Sequence, residues 1–510
     1  MPTGPGLIGL CLLFAGVIYQ WPLFSENQNV YFLPGLAHAG FGALVGDVRA
    51  MQFDITPVFS VFVSAIYRHG QSWMYYAGQL MLVALYAYSL MAVVFHVHPE
   101  TRQRTPRLIL LGAFAAIHSA WMLNAIKLSS TALGPAIVAI QELADAAITG
   151  VAGQEIPGPV FQPSAFGVLL LASLALFLYR RPYAATLCAV AAATVHTSLI
   201  IQAAFLVGAY LIVLWREGQR TTAYRVAALA VLTILPIAVY ISYWMLFVDP
   251  PEVQALAQKI NVIDRQPLHT QVAVWFTRWT FVQTVILAAG LWVARRHSRL
   301  FVVMSFCACL AAGLALRQVV AGNYILAVLF PWRASIWLIP VATMIGLGWV
   351  VMWMPRRVWP RMAAVAAVVL VFTCAVGVWK TLSMAQARAH RDRGTMIEFV
   401  GRQATPGQTF LVPTHFAHFR LATGAPIFVD FKGSPYRSAE LVEWDVRVRL
   451  AREFFASVTT EQTLHALQAI TTHAAITHVI AERAHDPLRD LSIARVVYSD
   501  DDYVVYELVP

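Results

Sequence analysis

The chain has 510 residues, of which 59% are hydrophobic and 12% charged, and a mean hydropathy of +0.64. A soluble domain carries about 25% charged residues, so this composition excludes an ordinary soluble enzyme. The formal net charge of +10 resides mostly in short linkers between apolar stretches, which argues against a nucleic-acid partner and for membrane topology and anionic headgroups.

A spanning helix needs about 20 mostly apolar residues. On that scale the sequence predicts spans near 5–24, 73–96, 108–124, 164–180, 183–197, 198–214, 223–247, 272–293, 299–316, 335–353 and 362–380, about eleven in all. The pair 183–197 and 198–214 is short and also fits one broken or re-entrant unit around His196 and Thr197. The first stretch lacks a basic n-region and a small-x-small site before Trp21, so it reads as a retained helix rather than a signal peptide.

Every second linker is basic: Arg102, Arg104 and Arg107; Arg180 and Arg181; Arg216, Arg220 and Arg225; Arg295, Arg296 and Arg299; Arg356, Arg357 and Arg361. Lys and Arg concentrate in cytoplasmic loops, so these linkers, and the N-terminus, are expected in the cytoplasm. The loop 25–71 and the tail then face outward, on the external side. The stretch Thr131 to Gly150 is apolar but holds Glu142 and Asp145. Counting it as a span would invert every later loop, so it is expected as an external interfacial helix.

The loop 25–71 has structure of its own. Ser25 followed by Gln28 fits a capping box, and Thr56 before Pro57 marks a helix start leading into an apolar run, Val58 to Ile66. After Lys380 the composition turns polar. β-rich runs at Thr409–Val412, Ile427–Phe431 and Ile476–Ala481 alternate with helical patterns near 437–456 and 460–473, and a hairpin turns at Asp500–Asp502. The fold class is thus an α-helical polytopic membrane bundle (1–380, with 25–71 as its first external loop) followed by an external α/β domain (381–510). Cys11, Cys188, Cys307, Cys309 and Cys374 all lie in apolar segments, so neither disulfides nor structural zinc are expected.

Candidate chemistry gathers on the external face. Glu26, Asp47 and Asp54 can deprotonate a nucleophile or hold a divalent metal at a phosphate leaving group. Each has a structural alternative: Glu26 as a favourable helix N-terminal charge, Asp54 as a cap for the helix at Pro57, and Asp47 as a turn residue after Gly46. Arg333 in Phe330-Pro331-Trp332-Arg333, Arg317 and Lys127 can reach a lipid phosphate or snorkel to headgroups. His118 and His196 lie in apolar helices, where an ionisable group is a functional candidate by default and a hydrogen-bonded neutral histidine is the alternative. No Ser-His-Asp signature, P-loop or dinucleotide fingerprint occurs in a convincing context.

The acidic first loop, the number of spans, the Pro-Trp-Arg before a late span and the external tail together resemble the GT-C superfamily of integral membrane glycosyltransferases. Three stretches resemble, more narrowly, an uncharacterised bacterial family of GT-C-like membrane proteins: Glu26–Leu33 with Asp54–Phe59; Leu329–Ser335; and a tail block running from Thr405-Pro406 through Phe410–Pro413, Phe419-Arg420, Val429–Lys432 and Glu443–Asp445. The resemblance implies a sugar donor on a polyprenyl phosphate, a glycan, lipid or protein acceptor, and a first-loop acid as base or ligand of Mg²⁺ or Mn²⁺. It puts Asp54 or Asp47 in that role, with Glu26 a further candidate. Arg333 falls at the donor phosphate, and Arg317, His196, Lys127, Arg420 and Lys432 are substrate-binding candidates. Many of these enzymes carry Asp-Glu or Asp-x-Asp just after the first helix; this chain has Ser25-Glu26-Asn27, which leaves metal use open. A lipid-linked saccharide transporter or flippase and a non-catalytic envelope-assembly scaffold are the other classes. A transporter would carry polar groups through the whole membrane thickness, whereas here they gather at external ends.

Overall fold

The computed structural model describes residues 4–119, 134–322, 324–391, 395–489 and 491–509. The chain is mostly helical and divides into two compact units. The first comprises Met1–Gln20, Tyr75–Tyr240 and Asn261–Leu382, the second Trp21–Met74, Ile241–Ile260 and Ser383–Pro510. The first loop, expected with the membrane bundle, therefore groups with the tail.

Among the described residues six helices are long and apolar enough to cross a membrane: Trp73–Val97, Thr197–Arg216, Arg220–Phe247, Ser298–Ala321, Tyr324–Trp353 and Arg356–His390. Pro5–Ala15, Pro163–Leu178, Pro182–Val195 and Arg278–Ala294 are shorter apolar helices. These are the lengths and compositions of a membrane protein. The first helix stops at Ala15 rather than near residue 24, because Gly16 follows it and Pro22 disfavours helix just before it. The break expected at His196 is present: His196 is extended (φ −130°, ψ 98°) between two helices. Residues 134–148 form the expected helix over Gly134–Ile148.

Small residues let the helices of the first unit approach closely, as packing in lipid requires. A Cβ at Gly112 would overlap Ala366, one at Gly290 would overlap Ala342, and one at Gly377 would overlap the Gly16 carbonyl. Large side chains fill the remaining space: Phe177 stacks on Tyr210 at 4.0 Å and Phe14 on Phe114 at 5.1 Å. Four of the five basic linkers meet at one end of this unit. Arg299 Nε donates to Glu217 at 2.6 Å, its Nη1 to the Phe177 carbonyl at 3.1 Å, and Arg180 lies 3.9 Å from the same glutamate. His96 there is within electrostatic reach of Arg102, Arg180 and Arg299.

The second unit has a four-stranded sheet in the order β1 (Phe410–Leu411), β2 (His478–Glu482), β4 (Tyr503–Leu508), β3 (Ala494–Ser499). β1 pairs parallel with β2, and the hairpin strands β3 and β4 are antiparallel. The Asp500–Asp502 run is the hairpin turn: Asp500 accepts from the Asp502, Tyr503 and Met396 amides at 2.8 to 3.1 Å. Helices Ser438–Ala456 and Thr460–Thr471 lie where expected and bury Leu441, Trp444, Val448, Phe454 and Ile470. The expected strand at Ile427–Phe431 is reduced to one bridge, Phe410 to Ile427. Helix Met396–Gln403 was not anticipated.

Candidate functional site

The first loop builds its structure around one carboxylate. Helix Leu33–His38 packs on helix Pro57–His69, with Gly35 against the Ser60 carbonyl. The chain then passes Gly40 (φ +84°) and Gly42 (φ +55°), where a Cβ on Gly42 would lie 2.5 Å from the Gly424 carbonyl. That approach, with the Ala43 amide donating to the Gly424 carbonyl at 2.8 Å, leads to Asp47. Asp47 is fully buried. Its Oδ2 accepts from Arg420 Nε at 2.7 Å and from the Ile427 amide at 3.0 Å, and its Oδ1 from the Ala50 amide at 3.0 Å. Arg420 Nη1 also pairs with Asp430, whose Oδ1 accepts from the Gly433 amide at 2.5 Å. Burial opposes the Arg420 charge, but the two carboxylates outweigh that and raise its pKa. The catalytic candidate Asp47 and the substrate-binding candidate Arg420 are thus brought together, as a buried ion-paired cluster.

The other two loop carboxylates are more open. Asp54 is partly exposed, and its Oδ1 accepts from the Thr56 amide at 2.8 Å just ahead of Pro57. This is an Asx turn leading into Thr56, the residue that precedes the helix. Glu26 pairs with Lys432 at 2.6 Å, with side chains 49% and 29% exposed, so the pair adds about 0–1 kcal/mol. Gln28 reaches back to the Phe24 amide (2.8 Å), one residue before Ser25, so the expected capping box is displaced. Among the described residues no group of three His, Cys, Asp or Glu side chains is placed to hold a metal ion. Asp47, buried and committed to Arg420, is not presented to a metal ion.

The sequence did not reveal Asp249, which binds Arg437 at 2.8 Å and accepts from the Ala439 amide at 3.1 Å. Burial works against its ionisation, but the Arg437 hydrogen bond and charge and the amides outweigh it and hold its pKa below the usual range. Nor did it reveal buried Arg49 and half-buried Glu440; burial raises the Glu440 pKa, and the Phe53 amide and then the Arg49 charge partly offset that.

In the first unit the Arg333 segment forms a second polar cluster. Phe330 is left-handed (φ 47°, ψ 53°), costly for a bulky residue, and Gln202 Nε2 holds its carbonyl at 3.0 Å. That bend starts the turn Pro331–Ala334. Arg333 Nε donates to Gln154 Oε1 at 2.9 Å, and its guanidinium lies 4.3 Å from the Phe330 ring centroid. Gln154 Nε2 reaches His269 Nδ1 at 3.4 Å, and Trp332 Nε1 donates to the His269 carbonyl at 3.1 Å. Burial, then the Arg333 and Arg265 charges, push His269 down to about 4, so it is neutral at neutral pH. His196 is buried, within electrostatic reach of Arg333, with its Nε2 2.7 Å from the Ser198 hydroxyl. Arg317 is exposed on Ser298–Ala321. Lys127 lies outside the described residues. His118 is a core histidine, its Nδ1 2.8 Å from the Phe114 carbonyl.

Trp332 and Ser335 also line a cavity of about 970 Å³, whose wall is otherwise mostly apolar: Val262, Trp275, Ala311, Leu338 and their neighbours, with Gln271 and Gln318. Close by, Gln154 is followed by Glu155, whose carboxyl is pushed up to about 8, by burial first and then by the Asp145 charge. A single Glu in a Gly- and Pro-rich loop gave no pattern from which to single it out.

A family model for a domain of unknown function, DUF6798, matches residues 391–451. That segment carries Arg420, Asp430, Lys432, Arg437 and Trp444, but it is well under half the chain. No curated protein matches the chain.

Two outcomes follow. Arg420→Met leaves Asp47 and Asp430 buried without a counter-charge, so stability of the full chain should fall by about 3–5 kcal/mol. Converting all three at once, as Asp47→Asn, Arg420→Met and Asp430→Asn, should recover much of it. Denaturant titration followed by protease sensitivity of 40–50 and 410–433 reads this, and a single Arg420→Met variant as stable as the parent would contradict it. Glu155 has a folded pKa raised from 4.5 to about 8. Its contribution is therefore full at low pH and lost as pH rises from about 4.5 through about 8. Melting of the parent in detergent should fall relative to Glu155→Gln across that window; parallel curves would refute the raised pKa.

Proposed function

We propose that the chain is a multi-pass glycosyltransferase of a bacterial inner membrane, with about eleven spans and a periplasmic second unit. It moves a sugar from a polyprenyl-phosphate donor to an extracytoplasmic acceptor. The observation that carries this reading is the apolar cavity beside Arg333. A cavity of about 970 Å³ lined by Val, Leu, Ala and Trp suits an isoprenoid chain, which gains about 25 cal/mol per Å² of apolar surface buried. Arg333, steadied by Gln154, offers a guanidinium to the phosphate at which such a chain ends. Neutral His269 adds hydrogen bonding without competing charge. The collection of basic linkers at one end of the first unit supports the topology read from the arginines.

In this reading Asp54 is the base, since Asp47 is committed to Arg420. Its carboxylate takes the proton of an acceptor hydroxyl. The hydroxyl oxygen bonds to the anomeric carbon, and the bond from that carbon to the phosphate oxygen breaks. Polyprenyl phosphate departs with the electron pair.

Asp54→Asn keeps an acceptor for the Thr56 amide but not the negative charge. Turnover of a labelled lipid-linked sugar should drop about a hundredfold or more, with folding and donor binding retained. Arg333→Ala should weaken binding of a polyprenyl-phosphate analogue about tenfold to a hundredfold, and exposed Arg317→Ala far less. Parental turnover in Asp54→Asn would remove the first-loop mechanism and favour a transporter or scaffold.

Topology has its own test. In a cysteine-free background, a cysteine at exposed Val458 should react with a membrane-impermeant thiol reagent in cells with a permeabilised outer membrane. One at exposed Thr221 should not. The reverse pattern would move the chemistry to the cytoplasm.

A further inference from the structure

The basic end of the first unit holds a recess that the proposed transfer does not use. Three helices finish there: Trp73–Val97, Arg278–Ala294 and Ser335–Trp353. Their ends and the linkers that follow enclose about 450 Å³, lined among others by Trp292, Trp349, Trp353, Arg295, Arg296 and Glu100. That volume is within the ~300–1,000 Å³ range of small-ligand sites.

The tryptophans form a ladder. Trp292 meets Trp349 edge-on at 5.7 Å between ring centroids, and Trp349 meets Trp353 at 5.2 Å. Trp292 is 49% and Trp353 74% exposed, so apolar surface is left open where the ladder ends. Arg295 sits with its guanidinium carbon 4.5 Å from the Trp292 ring centroid, a cation–π contact that holds it at the recess. Among the described residues neither Arg295 nor Arg296 forms an ion pair. Two guanidinium groups against the Glu100 carboxylate leave the lining net positive. His98 is spent on the Ile345 carbonyl at 3.1 Å.

This lining asks for an anion and an apolar body in one molecule. A soluble anion would leave the indoles uncovered, and an acyl chain alone would leave both arginines unanswered. Helix ends rich in Arg and Trp are where lipid headgroups meet a membrane protein. We propose that the recess binds the headgroup of an anionic phospholipid, with its phosphate on Arg295 and Arg296 and its glycerol and upper acyl chain along Trp292, Trp349 and Trp353. The proposal rests on the membrane reading and is independent of sugar transfer.

The test uses the full chain in detergent, with retained lipid measured by native mass spectrometry and by the rise in melting temperature on lipid addition. The parent should retain phosphatidylglycerol over phosphatidylcholine. Arg295→Gln with Arg296→Gln should weaken phosphatidylglycerol about tenfold or more, and Trp349→Leu should weaken it too. Arg356→Gln with Arg357→Gln, also in a basic linker but not lining the recess, should leave it unchanged. If Arg296→Gln alone is better behaved than the double variant, it should show the same direction of loss. Equal retention of the two lipids by the parent overturns the proposal. So does an equal loss in the Arg356/Arg357 variant, which means diffuse surface charge, and so does displacement of the lipid by inorganic phosphate, which means a free-phosphate site. Sugar transfer by Asp54→Asn is read separately, so failure of one leaves the other legible.

Discussion

Arg420 carries a charge that water does not reach, and several chain segments are arranged around that fact. Its two partners are Asp47, from the first loop, and Asp430, ten residues downstream. Removing a guanidinium from water costs several kcal/mol unless its attraction to carboxylates and its hydrogen bonds repay it. Here the carboxylates are themselves held by backbone amides of Ala50, Ile427 and Gly433. Removing any one of these groups leaves the others buried at a cost. The glycine contact of Gly42 with Gly424 follows from the same constraint, because only without side chains can the two turns come near enough for Asp47 to reach Arg420. The second unit therefore depends on pairing of charge as much as on its apolar core.

The first unit meets the same demand with neutral groups. Where its helices break, backbone groups lose their partners, and buried glutamines supply replacements: Gln202 to the Phe330 carbonyl, Gln283 to the Thr149 and Gly150 carbonyls, Gln318 to the Thr270 carbonyl. Irregular backbone in a membrane protein is tolerated where it is buried in protein or lines a cavity. Gln318 also lines the large apolar cavity. The strained Phe330 fits the same account. Its left-handed backbone turns the chain so that Trp332 faces the cavity and Arg333 meets Gln154, and the glutamine amide helps to hold it there.

Hydropathy made the long helices legible, since a run such as 73–96 has little alternative to the observed Trp73–Val97. Local chemistry also read well where one residue settles the matter. Pro57 starts a helix, His196 marks a break and Asp500 makes a hairpin turn. What the sequence hid was pairing across distance. Asp47 and Arg420 are separated by 373 positions and Arg437 and Asp249 by 188, and no periodicity joins them. The same blindness left the Arg333–Gln154–His269 cluster unseen, though Arg333 was singled out. The strand expected at Ile427–Phe431 shows the converse. Its residues have strand propensity, but Asp430 is drawn to Arg420 and Gly433, and only Ile427 keeps a bridge.

That pairing changes how the first-loop acids divide. By spacing alone Asp47 and Asp54 were equivalent candidates for a base. A base must be able to receive a proton, and Asp47 has one oxygen on an arginine and an amide and the other on an amide, in a site closed to solvent. Protonating it would leave Arg420 facing Asp430 alone and cost the unit its central contact. Asp54 sits differently: it accepts from the Thr56 amide, two residues on, and stays partly exposed. Burial, which draws attention to an ionisable residue, here argues that Asp47 is structural. Asp54, partly exposed ahead of the helix at Pro57, is not bound into that cluster.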